Sequence, residues 1–447
     1  IEMPEQRFKR KIYERLLAWK KERDGKTAAL IEGARRVGKS TIVRQFAEKE
    51  YQSYILIDFS SASTETFNLF NDISDLDYIF LRLQLIYGVQ LYERKSVIIF
   101  DEVQLQPLAR QAIKHLVADG RYDYIETGSL ISIKKNIKDI IIPSEETRLN
   151  MYPMDFEEFK WALGDFSTFP LLEKCFKEMI PLREAHRKLM RDFRLYMLVG
   201  GMPQSVNEYI ETNNLSRVDA VKRDILNLYN EDFYKIDPTG RLSMLFDAIP
   251  AELNKNSARY KVSSVIGDSR NSKLSEILAA LRESMTINMA YHVNDPNTGM
   301  AQNKDLNRYK MFLADTGLFV TQAFKDKDFT ENVIYNQLLS DKLSVNLGYV
   351  YENAVAQMLR ASGNELFYYT FPTESGKHNY EIDFLLSRHN KLCPLEVKSS
   401  GYKSHVSLDT FYNKFSSRIS ERYLVYGKDL LRQDGVSYVP FYMVQFL

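Results

Sequence analysis

Short apolar runs recur along the first third of the chain, at 28–31, 54–57, 97–100 and 122–125. Longer stretches with a helical succession of apolar positions lie between them, at 40–50, 80–91 and 108–118. Runs of four to eight residues suit buried strands and the longer ones suit helices. Strands alternating with helices predict a parallel sheet covered on both faces, an α/β fold. From about 155 to 237 the pattern is mainly helical, punctuated by Gly200-Gly201-Met202-Pro203. Residues 238–330 also read as helical, with a polar interruption at 294–305. Within them, 262–283 suits a small helix-turn-helix or winged-helix element and a plain helical lid equally well. The pattern changes again near 340. It predicts a helix at 348–361, strands at 365–371, 381–387 and 394–398, a helix at 408–416, and strands at 422–426 and 441–447. The expected domains are therefore 1–165, 166–338 and 339–447.

Composition excludes more than it identifies. With 447 residues, 45% hydrophobic and 27% charged, the chain is not collagen-like, low-complexity or wholly disordered. Lys+Arg 60 against Asp+Glu 59 leaves a net charge of +1, so a nucleic-acid surface has to come from local clustering. One cluster is 7–26, where nine Lys/Arg face three acids, while Ile12, Leu16, Leu17 and Trp19 fall at near-helical spacing. A packed helix with a solvated basic face is the plainer reading, and a nucleic-acid contact is its rival. Two cysteines, Cys175 and Cys393, exclude a disulfide scaffold or a cysteine-rich zinc site and suit a reducing cytoplasm. The six histidines show no metal-ligand spacing. No apolar run approaches the roughly 18 residues a membrane span needs, and the basic start carries no apolar signal core. A cytoplasmic protein without a membrane partner is the expectation.

The strongest chemistry lies at Gly33-Ala34-Arg35-Arg36-Val37-Gly38-Lys39-Ser40, a complete G-x-x-x-x-G-K-[ST] between an expected strand and an expected helix that continues with Thr41. Glycines let the backbone wrap phosphate and present successive N–H groups, and the helix N-terminus adds its dipole. Lys39 would direct charge at the β- and γ-phosphates, and the Ser40 hydroxyl would bind Mg²⁺. The run 97–100 then ends in Asp101-Glu102. Ligands gather at the C-terminal ends of parallel strands. Asp101 is expected on the Mg²⁺ and Glu102 as the base that polarises the attacking water; two acids capping the next helix would be the bland alternative. The next run ends Glu126-Thr127-Gly128-Ser129, where Thr127 or Ser129 would sense the γ-phosphate, although such residues also close strands for turn reasons alone.

A second carboxylate set lies near the C-terminus. Residues two apart on a strand share a face, which pairs Glu381 with Asp383 and Glu396 with Lys398. Arg388-His389-Asn390-Lys391 reads as the turn of a hairpin. Strands about 4.8 Å apart would let Asp383 and Glu396 converge on one Mg²⁺ or Mn²⁺, with Lys398 beside it. Glu352 on the preceding helix can join the same site. An amphipathic hairpin with exposed acids is the rival.

These motifs together resemble a prokaryotic family of AAA-type ATPases fused to a C-terminal domain long labelled of unknown function. The resemblance is carried by the phosphate loop, Ile98-Ile99-Phe100-Asp101-Glu102-Val103-Gln104, Glu126-Thr127-Gly128-Ser129, and Tyr152-Pro153-Met154-Asp155-Phe156-Glu157-Glu158-Phe159. Val199-Gly200-Gly201-Met202-Pro203 and Leu313-Ala314-Asp315-Thr316-Gly317-Leu318 are further landmarks. It implies a P-loop NTPase core of AAA type, a helical lid, a winged-helix-like segment and a tail similar to PD-(D/E)xK nucleases. Relatives carry Gly-Arg shortly before the Tyr-Pro segment, where this chain has Thr147-Arg148; Arg148 is the corresponding γ-phosphate or inter-subunit arginine. The expected cofactors are ATP and Mg²⁺. The expected partners are DNA, with a protein partner as its rival, and further copies of the chain. The expected function is an ATPase whose nucleotide state controls a metal-dependent nuclease-like tail, against a nucleotide-switched binding module with a silent nuclease fold.

Overall fold

The computed structural model describes residues 8–130, 134–255, 257, 259–267, 273–327, 329–330, 332–340 and 347–447. They divide into one unit reaching to Tyr152 and including Ala279–Met285, and a second made of Pro153–Leu278 and Thr286–Leu447. Arg7 and residues 268–272, part of two expectations above, lie outside the described residues.

The first unit is built on β1 (Ala28–Glu32), β2 (Ser53–Asp58), β3 (Ser96–Asp101), β4 (Asp123–Gly128) and β5 (Glu146–Asn150). The order is β2-β3-β4-β1-β5 and every neighbouring pair is parallel, as the alternation of apolar runs predicts. Every residue of β3 and β4 is buried, which is why those strands read as continuous runs. Alternate side chains feed two cores. Ala29, Ile31, Val97, Ile99 and Ile125 pack against Ile12, Leu16, Trp19, Val43 and Phe46. Leu30, Ile57, Ile98, Phe100 and Tyr124 pack on the other face against Phe80, Leu83, Ala112 and Ile113. Strand β5 has no apolar signature because it is an edge strand, Glu-Thr-Arg-Leu-Asn, with its acid at the start buried against Arg110.

The basic stretch forms the helix Ile12–Arg23, with Ile12, Leu16 and Trp19 buried. Several of its cations serve the fold itself. Arg15 donates to Asn150 O at 3.0 Å, and Lys20 donates to Glu50 O while lying over the Tyr51 ring.

In the second unit, β6 (Ile287–Val293) and β7 (Lys304–Leu313) form an antiparallel hairpin. This corrects the helical reading of that region. Ile287–Val293 is buried nearly throughout, so its apolar run does not reveal its period, and the polar interruption is the hairpin connection. The helices Val262–Ile266 and Leu274–Glu283 precede it in the chain. Strand β6 pairs in parallel with β8 (Leu366–Pro372), which pairs antiparallel with β9 (Asn379–Ile382), giving the order β7-β6-β8-β9. The chain breaks register at Asp383 and continues as β10 (Phe384–Arg388) into a second sheet with β11 (Lys391–Lys398), β12 (Arg422–Tyr426), β13 (Leu431–Gln433) and β14 (Val436–Pro440). Its order is β10-β11-β12-β14-β13. The expected strand at 381–387 is thus two strands meeting at Asp383. The expected terminal strand at 441–447 is instead a 3₁₀ segment, Phe441–Phe446, whose first four residues are buried. Apart from Ala279–Met285, residues 166–338 fall in one unit with 339–447, and the β6–β7 hairpin is hydrogen-bonded to β8.

Candidate functional site

Parallel strands deliver their C-terminal ends to one edge of the sheet, and three of them meet there in register. Ile31 pairs with Thr127, and Phe100 with Glu126, so the residues following β1, β3 and β4 are side by side. The loop 33–40 leaves β1 at this edge and enters the helix Lys39–Glu50. Its glycines are required for different reasons. A Cβ on Gly33 would sit 2.6 Å from Met151 O, so no side chain fits. Gly38 has φ 104°, a conformation open only to glycine. Arg36 is left-handed as well, at φ 70°. Ala34 and Val37 are buried, Arg35 is half-buried, and Thr41 is half-buried on the first helical turn.

A brace absent from the sequence reading is Arg10. Its guanidinium is buried and donates to Val37 O at 2.9 Å and to Tyr152 O at 2.6 Å. It therefore ties the loop backbone to the chain after β5. Sequence offers no signal for this beyond a basic residue ahead of a helix.

Lys39 is buried and donates to Gly33 O at 2.8 Å and Ala34 O at 2.9 Å, so its ammonium is folded onto the carbonyls of its own loop. Burial pushes its pKa down to about 8, against the pull of Glu102 and Asp101. Ser40 Oγ donates to Asp101 Oδ1 at 2.8 Å, and Thr127 Oγ1 donates to the same oxygen. Thr127 Oγ1 also accepts the Glu102 N–H at 3.2 Å. Glu102 has φ 55° and ψ 48°, the left-handed region that side chains rarely adopt. Such backbone is characteristic of functional strand ends. Its carboxylate is held by the Gln104 amide at 2.5 Å, a residue quoted only as part of the motif. Ser129 is buried beside this edge. A hydroxyl and a carboxylate sharing one hydrogen bond next to a phosphate loop are the hard oxygen donors that Mg²⁺ takes together with phosphate. The residues present fit that ion and a nucleoside triphosphate. Arg148 lies on the edge strand β5, with Nη1 3.2 Å from Glu32 Oε1. It is engaged by the residue ahead of Gly33.

In the second unit, the break between β9 and β10 brings Asp383 against the helix Gly348–Ala361. The oxygens of Glu352, Glu381 and Asp383 lie within 4.8 Å of one another. Asp383 Oδ2 also accepts the Val397 N–H at 2.7 Å. Burial, then Glu352 and Glu381, push the Asp383 pKa well up. Glu396 stands outside this triad; its Oε1 is 3.0 Å from Lys398 Nζ. Among the described residues, Glu352, Glu381 and Asp383 form the acidic cluster, so Glu381 is added to the expected set. A cation already sits among them. Lys310 Nζ is 3.2 Å from Glu352 Oε1, makes a second ion pair to Glu381, and is buried. Lys310 escaped the sequence reading because it belongs to a strand read as helix.

None of the described helices is long and apolar enough to cross a membrane. A family model described as an AAA domain matches residues 25–160, and models described as domains of unknown function match 190–328 and 347–443. An uncharacterized protein of Methanocaldococcus jannaschii is 23% identical over 244 residues, 50% of this chain and 49% of its own. The chain thus spans about half the length of the curated relative it matches. Among solved structures, a Walker-type ATPase of Pyrococcus abyssi is 17% identical at a TM-score of 0.41, covering 72% of this chain and 99% of its own. The Thermotoga maritima RuvB Holliday junction branch migration motor is 13% identical at a TM-score of 0.27, covering 61% and 87%. Phosphate loop, strand-end acids, parallel sheet and family model agree on an AAA-type P-loop ATPase domain in the first unit.

The depressed Lys39 gives a testable sign. Phosphates favour the charged ammonium, so the bound state holds more protons than the free state once pH nears 8. Nucleotide binding should take up a growing fraction of a proton between pH 7 and pH 9, and affinity should fall over that range. Calorimetry in two buffers of different ionisation enthalpy measures it; proton release at pH 9 would contradict the assignment.

Proposed function

We propose that the protein is an ATP hydrolase whose second unit carries a binding surface for a polyanion. The carrying observation is the line Ser40–Asp101–Thr127 closing the sheet edge beside the loop. Backbone N–H groups of 33–40 and the Lys39 ammonium would hold the β- and γ-phosphates, Lys39 exchanging its loop carbonyls for phosphate oxygens. Ser40 and Asp101 would hold Mg²⁺, which when bound neutralises charge on the phosphates. Thr127 fixes Asp101 and the Glu102 backbone. Glu102, aimed by its left-handed backbone and steadied by Gln104, takes the proton of the attacking water as its oxygen bonds to the γ-phosphorus and ADP leaves. Glu102→Gln should retain nucleotide affinity and slow steady-state hydrolysis by roughly 10²–10⁴-fold. Unchanged turnover would make the strand-end carboxylate structural.

The rival to a nucleotide-controlled nuclease is a binding module with a silent nuclease-like fold, and the seated Lys310 favours the module. Its candidate surface is a groove of about 540 Å³ along the helix Glu184–Val199, lined by Arg187, Lys188, Arg191 and Arg194 with one acid, Glu184. No described carboxylate forms a salt bridge with Arg187, Lys188 or Arg191, all of which are exposed. Basic side chains on successive turns of one helix suit a nucleic-acid backbone. Duplex DNA affinity should fall steeply with salt. Reversing Arg187, Lys188 and Arg191 to Glu should weaken it and reduce the log–log salt slope by about 2–3. Equal affinity and slope in the triple variant would move the contact elsewhere.

A further inference from the structure

The carboxylates of the second unit have the spacing of a cation site. A divalent ion with metal–oxygen distances of about 2.0–2.6 Å places its ligand oxygens no more than about 5 Å apart, and those of Glu352, Glu381 and Asp383 lie within 4.8 Å of one another. They come from three pieces of the chain: the helix Gly348–Ala361, strand β9 and the break that follows it. Into this space β7 sends Lys310 from an earlier hairpin. Its ammonium contacts Glu352 at 3.2 Å, pairs with Glu381, and lies 5.3 Å from the centroid of the Tyr368 ring.

We propose that Lys310 is a tethered counter-ion that fills this site, so that the second unit as folded takes an ammonium where a divalent metal ion would otherwise bind. Lysine suits the role because its charge is a compact point with three donors, closer to a bare cation than a guanidinium is. Lys310 is 5% exposed and its two acidic partners hold it charged, its pKa raised by Glu352 and then Glu381 against the cost of burial. A second cation in the same buried space would face that charge directly, so the metal can enter only if the ammonium leaves. Asp383 spends one oxygen on the Val397 N–H; one oxygen of Glu396 pairs with Lys398, while its other, Oε2, is buried without a hydrogen-bond partner. The proposal stands apart from the ATPase reading, because it concerns residues of the second unit alone.

The test is Mn²⁺ binding to the full chain without nucleotide, followed by electron paramagnetic resonance of the free ion. Wild type, Lys310→Met and Lys310→Met/Asp383→Asn are compared, and the Asp383-dependent part isolates this site from any other. Wild type should bind no Asp383-dependent Mn²⁺. Lys310→Met should gain one ion at least tenfold more tightly, lose it again in the double variant, and melt at higher temperature with Mn²⁺ than without. Asp383-dependent binding by wild type as tight as in Lys310→Met would overturn the proposal. So would a Lys310→Met chain, folded or unfolded, that Mn²⁺ neither binds nor stabilises, since the site would then not exchange one cation for the other.

Discussion

One carboxylate organises the first unit's functional edge. Asp101 accepts from Ser40 on the loop helix and from Thr127 on the neighbouring strand, so a single oxygen joins three segments that enter the site from different parts of the sequence. It can do so because β1, β3 and β4 are parallel and in register, which puts their ends together. Ligand chemistry at the carboxyl edge of such a sheet follows from topology. The loop adds its own constraint. Gly33 passes so close to Met151 O that a methyl group has no room, and Arg10 clamps the loop from the other end through Val37 O. The phosphate-binding backbone is therefore set before any ligand arrives, and binding need not include the cost of ordering it.

What was legible in the sequence is what is encoded locally. The phosphate loop carries its mechanism within eight residues, and a fully buried parallel strand such as β3 announces itself as an apolar run ending in acids. Interactions made across long separations were not legible. Arg10 meets Tyr152 across 142 positions, and nothing in either neighbourhood marks the pair. The edge strand β5 lacks an apolar run because one of its sides has no strand to cover it. Strand β6 and the second half of β7 were hidden for the opposite reason: buried on both faces, they have no period to distinguish them from helix. Missing β7 meant missing Lys310, and with it the ammonium that pairs with Glu352 and Glu381.

The second unit separates fold from chemistry. Its helices and its strands from β8 as far as β12 follow the expected succession, whereas the end of the chain forms β13, β14 and a 3₁₀ segment, and Glu381 joins the acids that converge. Asp383 takes part through a break in the strand, Glu381 joins it from the residue pair on the same face, and Glu396 turns to its own neighbour Lys398. A D…E-x-K spacing specifies a hairpin with acids on one side; it does not specify which cation they hold. Here that cation arrives on another hairpin, bonded to the same sheet through β6 and β8. The same kind of geometry that builds a metal site thus holds Lys310 between Glu352 and Glu381 in this chain.

Nucleotide binding as proposed depends on Lys39 meeting phosphate. The most direct test is equilibrium binding of Mg–ATP to wild type and Lys39→Ala, with circular dichroism to confirm that both are folded. Removing a charged partner of the triphosphate should weaken binding at least roughly a hundredfold, about 2.7 kcal/mol. A folded Lys39→Ala protein that binds Mg–ATP with wild-type affinity would contradict the account.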